Sequence, residues 1–163
     1  MLSGLAVAIH VLLVFWLVAG IVGRDVIYRR ASRVTDLDEL RTLISLGSQF
    51  ETRMVRPATG AVLVAGLIAA WARGWPILGF LQHSSPNWVL AALLIYLSII
   101  PVIVLVFIPR GKLFRAALDD AVSEGRVTPR LTATLNDPMV EAARRYELLM
   151  ITVLTWLMVA KPF

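Results

Sequence analysis

In the stretch GLAVAIHVLLVFWLVAG, residues 4–20, His10 is the one titratable side chain. A neutral imidazole is a good ligand for haem iron or copper. An ionisable group at membrane depth is a functional candidate by default. The alternative is a neutral histidine hydrogen-bonded to a neighbouring helix or a water. Its own helical neighbours Ala6, Val7, Leu13 and Val14 carry no polar side chain. The partner must therefore come from another helix, a water or a ligand, and by depth Lys161, Thr155 and Asn87 are the candidates. His83, in LGFLQHSSPNW, falls on the same side of the chain's topology. Two histidines on one side could share a metal or a haem, whereas a histidine among Gln, Ser and Asn is also at home in water.

A second group of candidates lies near the C-terminus. Glu147 and Lys161 bracket the apolar residues 148–160, about 20 Å of helix against roughly 30 Å of hydrocarbon. One reading places Arg144, Arg145 and Glu147 at a membrane boundary, in charge pairs with Glu51, Arg53 or Arg56. The other makes Glu147 part of a proton or ion pathway. Of the five methionines, Met150 and Met158 lie on roughly one helical face. Soft thioethers suit Cu(I), and equally they fill cores. The chain has no cysteine, which excludes disulfides, thiolate metal sites and cysteine nucleophiles. It shows no Gly-rich phosphate loop, serine-hydrolase elbow or HExxH zinc pattern. With so few polar residues in the apolar segments, no catalytic residue is assigned.

The elements that position these residues follow from hydropathy. Of the 163 residues, 58% are hydrophobic and only 17% charged, with a mean hydropathy of +0.77. Soluble domains are about half apolar and a quarter charged. Trp88–Ile108 is an unbroken uncharged run, long enough to cross a bilayer. The expected architecture is an all-α integral membrane protein, a single membrane domain over residues 1–163. Its four-helix bundle has spans at about 5–23, 57–72, 88–108 and 146–160. Pro57 suits a first helical turn, and Pro101 suggests a kink. The start, MLSGLAVAIH, lacks a basic n-region, so the first helix is read as retained.

Orientation follows from arginine. Fourteen of the 16 basic residues fall in the two long connections, 24–56 and 109–147, leaving Arg73 and Lys161 opposite. All 11 acids share the basic side. The positive-inside rule then puts the connections in the cytoplasm and both termini outside, with Trp71, Trp75 and Trp88 in an outer aromatic belt. The basic charge is thus accounted for by orientation, and nucleic acid is not expected as a partner.

The connections themselves read as helical. Asp36-Leu37-Asp38-Glu39 is a capping-box variant, followed by Leu37, Leu40, Ile44 and Gly47 at helical spacing. Leu113, Phe114, Ala117, Leu118 and Ala121 repeat likewise until Gly125. Asp137 and Pro138 restart a helix as cap and first residue, so the fourth span begins well below the membrane. Ala61, Ala65, Ala69 and Ala72 form one small-residue stripe, and Gly4, Ala8, Ala19, Gly20 and Gly23 thin the first helix for close packing. The third helix is bulky throughout, which suits lipid or a partner protein.

The AIHVLLVFW start, the GWPI turn, the PRGKL connection, the AVSEGRVTPRLTATLNDP stretch and the terminal LMVAKPF resemble the predicted integral membrane proteins grouped as domain of unknown function 2269. The likeness covers nearly the whole chain, with LNDP and KPF its most specific parts. More distantly, that family resembles four-helix membrane proteins of the CopD and HemJ type, in which membrane histidines are linked to copper or haem. His10 corresponds to the first-helix histidine of the haem-linked group, and no third-helix lysine matches its partner. The expected function is a non-catalytic accessory or assembly subunit in a bacterial cytoplasmic membrane, in contact with lipid and with other membrane subunits or itself. The alternative is a b-type haem or copper protein using His10.

Overall fold

A computed structural model describes residues 2–83 and 87–162. Of the described residues, 87% are helical. Helix α1 spans Leu2–Ala31, α2 Leu37–Phe50, α3 Arg56–Ala72, α4 Trp88–Val102, α5 Ile108–Glu124, α6 Pro129–Leu135 and α7 Pro138–Ala160. A short 3₁₀ turn, Gly79–Gln82, precedes α4. Among the described residues, three helices are long and apolar enough to cross a membrane: Leu2–Ala31, Leu37–Ala72 and Trp88–Glu124.

Two of these continuous helices were expected as separate pieces. The first does not stop at Gly23 but runs two further turns, carrying Arg24 and Asp25 as buried residues. Pro57 does not open a new helix. Helix α2 passes into α3 through a π-helical turn, Glu51–Val55, in which the Arg56 N–H bonds the Glu51 carbonyl. Helix α4 passes into α5 through a second π turn, Ile103–Phe107, with the Ile108 N–H on the Ile103 carbonyl. Each π turn ends two residues before a proline, Pro57 or Pro109. Proline lacks an N–H, and its ring collides with the carbonyl four residues back. Widening the turn to i→i−5 moves that carbonyl aside, so the helix survives the proline. The helix also continues through Pro101.

The helix ends obey local chemistry. The Asp36 carboxylate accepts hydrogen bonds from the Asp38 and Glu39 N–H groups. Thr128 caps α6 through the Leu131 N–H, and Asp137 caps α7 through Met139 and Val140. Gly125 ends α5 in the left-handed region at φ 67°, where a Cβ would be strained.

The helices form two antiparallel groups. Helix α1 packs along α2 and α3, while α4 packs along α7 and α5 on α6. Small residues set the spacing of the first group. A Cβ on Gly20 would lie 2.8 Å from Met54 Cβ, and one on Gly23 would strike the Phe50 ring. Gly47 receives the Tyr28 ring. Gly4 of the expected set has open space around it, because it lies at the free end of α1.

The groups meet at both ends. At the charged end, Ala31, Leu40, Ile44, Ala117, Ala121 and Leu131 form an apolar core. Leu40, Ile44, Ala117 and Ala121 belong to the expected stripes, whereas Leu113 is exposed. At the opposite end, Ala70, Trp88 and Val89 pack with Trp75, Ile77 and Met158. The rings of Trp75 and Trp88 meet edge-to-face at 4.9 Å, and Lys161 Nζ lies over both, at 4.7 and 5.7 Å.

Candidate functional site

Between the end contacts, the two groups line a half-open cavity of about 1200 Å³. Arg24 crosses it. Its Nη1 donates to Glu51 Oε2 at 2.6 Å, and its Nη2 donates to Glu147 Oε2 on α7. Arg56 Nε closes on the other Glu51 oxygen at 3.2 Å. Two cations and two carboxylates thus balance. Arg24 is 9% and Glu147 5% exposed, so the pairing offsets a large desolvation cost. The π turn matters here, since it places Glu51 toward α1 while α3 continues along the same axis. Arg24 also stacks over Phe107 at 5.8 Å.

The expected charge pairs are redistributed. Glu147 pairs with Arg24, a residue the sequence reading left in the connection, and not with Arg53 or Arg56. Arg53 lies exposed and makes no ion pair among the described residues. Arg145 turns outward to Glu141 at 2.9 Å, one turn back. Arg144 stacks over the Tyr28 ring at 4.9 Å. Neighbouring hydroxyls also join helices. Ser98 Oγ lies 2.6 Å from the Tyr146 hydroxyl, and the Tyr96 hydroxyl donates to the Thr59 carbonyl. Asp25 bonds Arg29 at 2.8 Å, its Oδ1 buried without a hydrogen bond. Two hints were present in the sequence. Ile21, Arg24, Tyr28 and Ala31 keep the helical period past Gly23, and Pro57 and Pro109 flag the π turns.

His10 is buried in α1 against α3. Its Nδ1 lies 3.1 Å from the Val62 carbonyl. A carbonyl only accepts, so Nδ1 carries the proton and Nε2 keeps its lone pair. Gly66 makes room for the ring: a Cβ there would sit 3.0 Å from His10 Cε1. The partner is thus a backbone carbonyl, not Lys161, Thr155 or Asn87. Lys161 lies on the tryptophans, Thr155 bonds the Ile151 carbonyl, and Asn87 packs against Gly79. Among the described residues, no hydrogen bond joins His83 to His10. His83 ends the 3₁₀ turn in the left-handed region at φ 54° and is exposed.

For a metal, the described residues hold no group of three or more His, Cys, Asp or Glu side chains. Met158 packs with the tryptophan cluster. A histidine that ligates a metal has its other ring nitrogen held by a carbonyl or carboxylate, and the Val62 carbonyl holds His10 Nδ1 in that way.

The family described as predicted integral membrane protein (DUF2269) matches residues 5–162. The chain belongs to that family, and its apolar helices are those of an integral membrane protein in contact with a lipid bilayer. No curated protein and no solved structure matches it.

Proposed function

We propose that this protein is a non-catalytic accessory or assembly subunit of a membrane protein complex. In this reading it is a single domain in the bacterial cytoplasmic membrane. Helix α7 supplies a fourth span beside the three long apolar helices, and both termini face outward. The observation that carries the reading is an exposed stripe on the third long helix. Leu94, Leu97, Val104 and Ile108 are all exposed there, apolar surface open to a partner helix within and on either side of the π turn. Meanwhile the buried polar side chains Arg24, Glu147 and His10, with the half-buried Glu51, are each committed to joining helices, which suits a scaffold. A photo-crosslinking residue at Leu97 or Val104 tests the stripe. The reading expects one discrete protein adduct from native membranes, and lipid adducts alone would count against it.

The anchored His10 favours a second reading, a b-type haem or copper held at Nε2. The Nδ1–H bond to Val62 fixes the tautomer that a ligating imidazole uses. The absorbance of the solubilised protein tests it. A Soret band removed by His10→Ala supports it, and a colourless protein from haem-supplied cells, free of copper, counts against it.

A further inference from the structure

We infer that the cavity between the two helical groups binds one lipid with an anionic headgroup, its acyl chain between the groups and its phosphate at the charged end. The shaft of the cavity is apolar, lined by Val14, Leu17, Val18, Ile100, Ile103 and Leu154. From Arg24 to Val14 on α1 it is about 15 Å deep, at 1.5 Å per residue. At about 1200 Å³ it exceeds the roughly 300–1,000 Å³ of ordinary small-molecule pockets. A half-open apolar shaft of this size within a bilayer protein is accessible to the acyl chains around it.

The choice of headgroup comes from charge. Seven basic side chains and only three carboxylates line the cavity. Glu51 and Glu147 are already occupied by Arg24 and Arg56. Arg41 on α2, and Lys112 and Arg115 on α5, line the same mouth and make no ion pair among the described residues. They approach it from both helical groups, so a phosphate between them would bridge the groups where the protein's own carboxylates do not. Basic pockets between membrane helices bind anionic headgroups in this way. An acidic segment of a partner protein would satisfy the cations but leave the shaft empty. A free phosphate would do the same.

The test is native mass spectrometry of the delipidated full-length protein, titrated with phosphatidylglycerol, phosphatidylcholine or inorganic phosphate. Phosphatidylglycerol should bind one per chain, well ahead of phosphatidylcholine, and phosphate alone should not hold. The combined variant Arg41→Gln, Lys112→Gln, Arg115→Gln should weaken phosphatidylglycerol binding by about a hundredfold, at roughly fivefold per cation. These side chains are exposed, so the fold should tolerate the change. Ile100→Trp should block the shaft and reduce binding while every cation stays in place. Equal binding of the two lipids, binding of phosphate as tight as that of the lipid, or phosphatidylglycerol binding unchanged in both variants would overturn the inference.

Discussion

Arg24 and Glu147 lie 123 residues apart in the chain, and their side chains meet in the interior as the bond that ties the α1 group to α7. Glu51 completes the bond from the second helix. Removing one member of a buried charge cluster leaves its partners uncompensated. Arg24→Met strands Glu147 and leaves Glu51 with Arg56 alone, and should cost about 3–5 kcal/mol. Glu147→Gln keeps an acceptor for Arg24 and should cost less, about 1–3 kcal/mol. Thermal unfolding in detergent measures both, and the opposite ranking would show that Arg24 is not the hub.

Helix spacing gives a sharper contrast. Gly20→Ala sets a methyl 2.8 Å from Met54 Cβ, an atom that moves only with its backbone, and should destabilise by about 1–3 kcal/mol. Gly60→Ala enters open space and should be neutral or stabilising by about 0.5–1 kcal/mol. Equal effects at the two positions would remove the close approach of α1 to the π turn.

The tautomer of His10 is directly observable. Nitrogen-15 spectra of the labelled imidazole should show Nδ1 protonated and Nε2 bare at neutral pH. His10→Leu should be tolerated better than His10→Asp, because only the latter brings a charge into the membrane. A protonated Nε2 would contradict the bond to Val62.

Acid sensitivity should appear at the start of α7. The hydrogen bond from Arg145 holds the Glu141 carboxyl below the usual carboxylate range. Such a group adds stability that is present at neutral pH and lost as pH falls through its folded value, below the usual carboxylate range. Carboxyl carbon shifts should place the Glu141 titration higher in Arg145→Gln than in the native chain. Coincident titrations would dissolve the pair.

Topology is testable without purification. The charge asymmetry predicts that a reporter fused after Phe163 is active only outside the cytoplasm. A cysteine at Ser123 should react only with reagents that enter the cell. Labelling of Ser123→Cys from outside intact cells would reverse the orientation.

The sequence made local signals legible and long-range ones not. Asp36, Gly125, Asp137 and Pro138 act on neighbours within four residues, so their roles could be read directly. Ala117 and Ala121 were readable because their period matches the helix. Arg24 was placed outside the first span because apolar composition falls at Gly23, yet a helix ends where its hydrogen bonds end, and here that is Ala31. Its partners Glu51 and Glu147 come from two other helices, a pairing that only packing decides. The use of Gly66 is visible only with the His10 ring against it. The π turns follow from Pro57 and Pro109, but proline alone does not say whether a helix breaks or widens.

The measurement that bears most directly on the central claim is the mass and absorbance of the protein extracted with its native lipid at natural expression levels. The account predicts a particle well above the 18.0 kDa chain, containing a second membrane protein in fixed ratio and showing no Soret band. A particle containing this chain alone, with stoichiometric haem lost in His10→Ala, would contradict the accessory role and establish a haem protein instead.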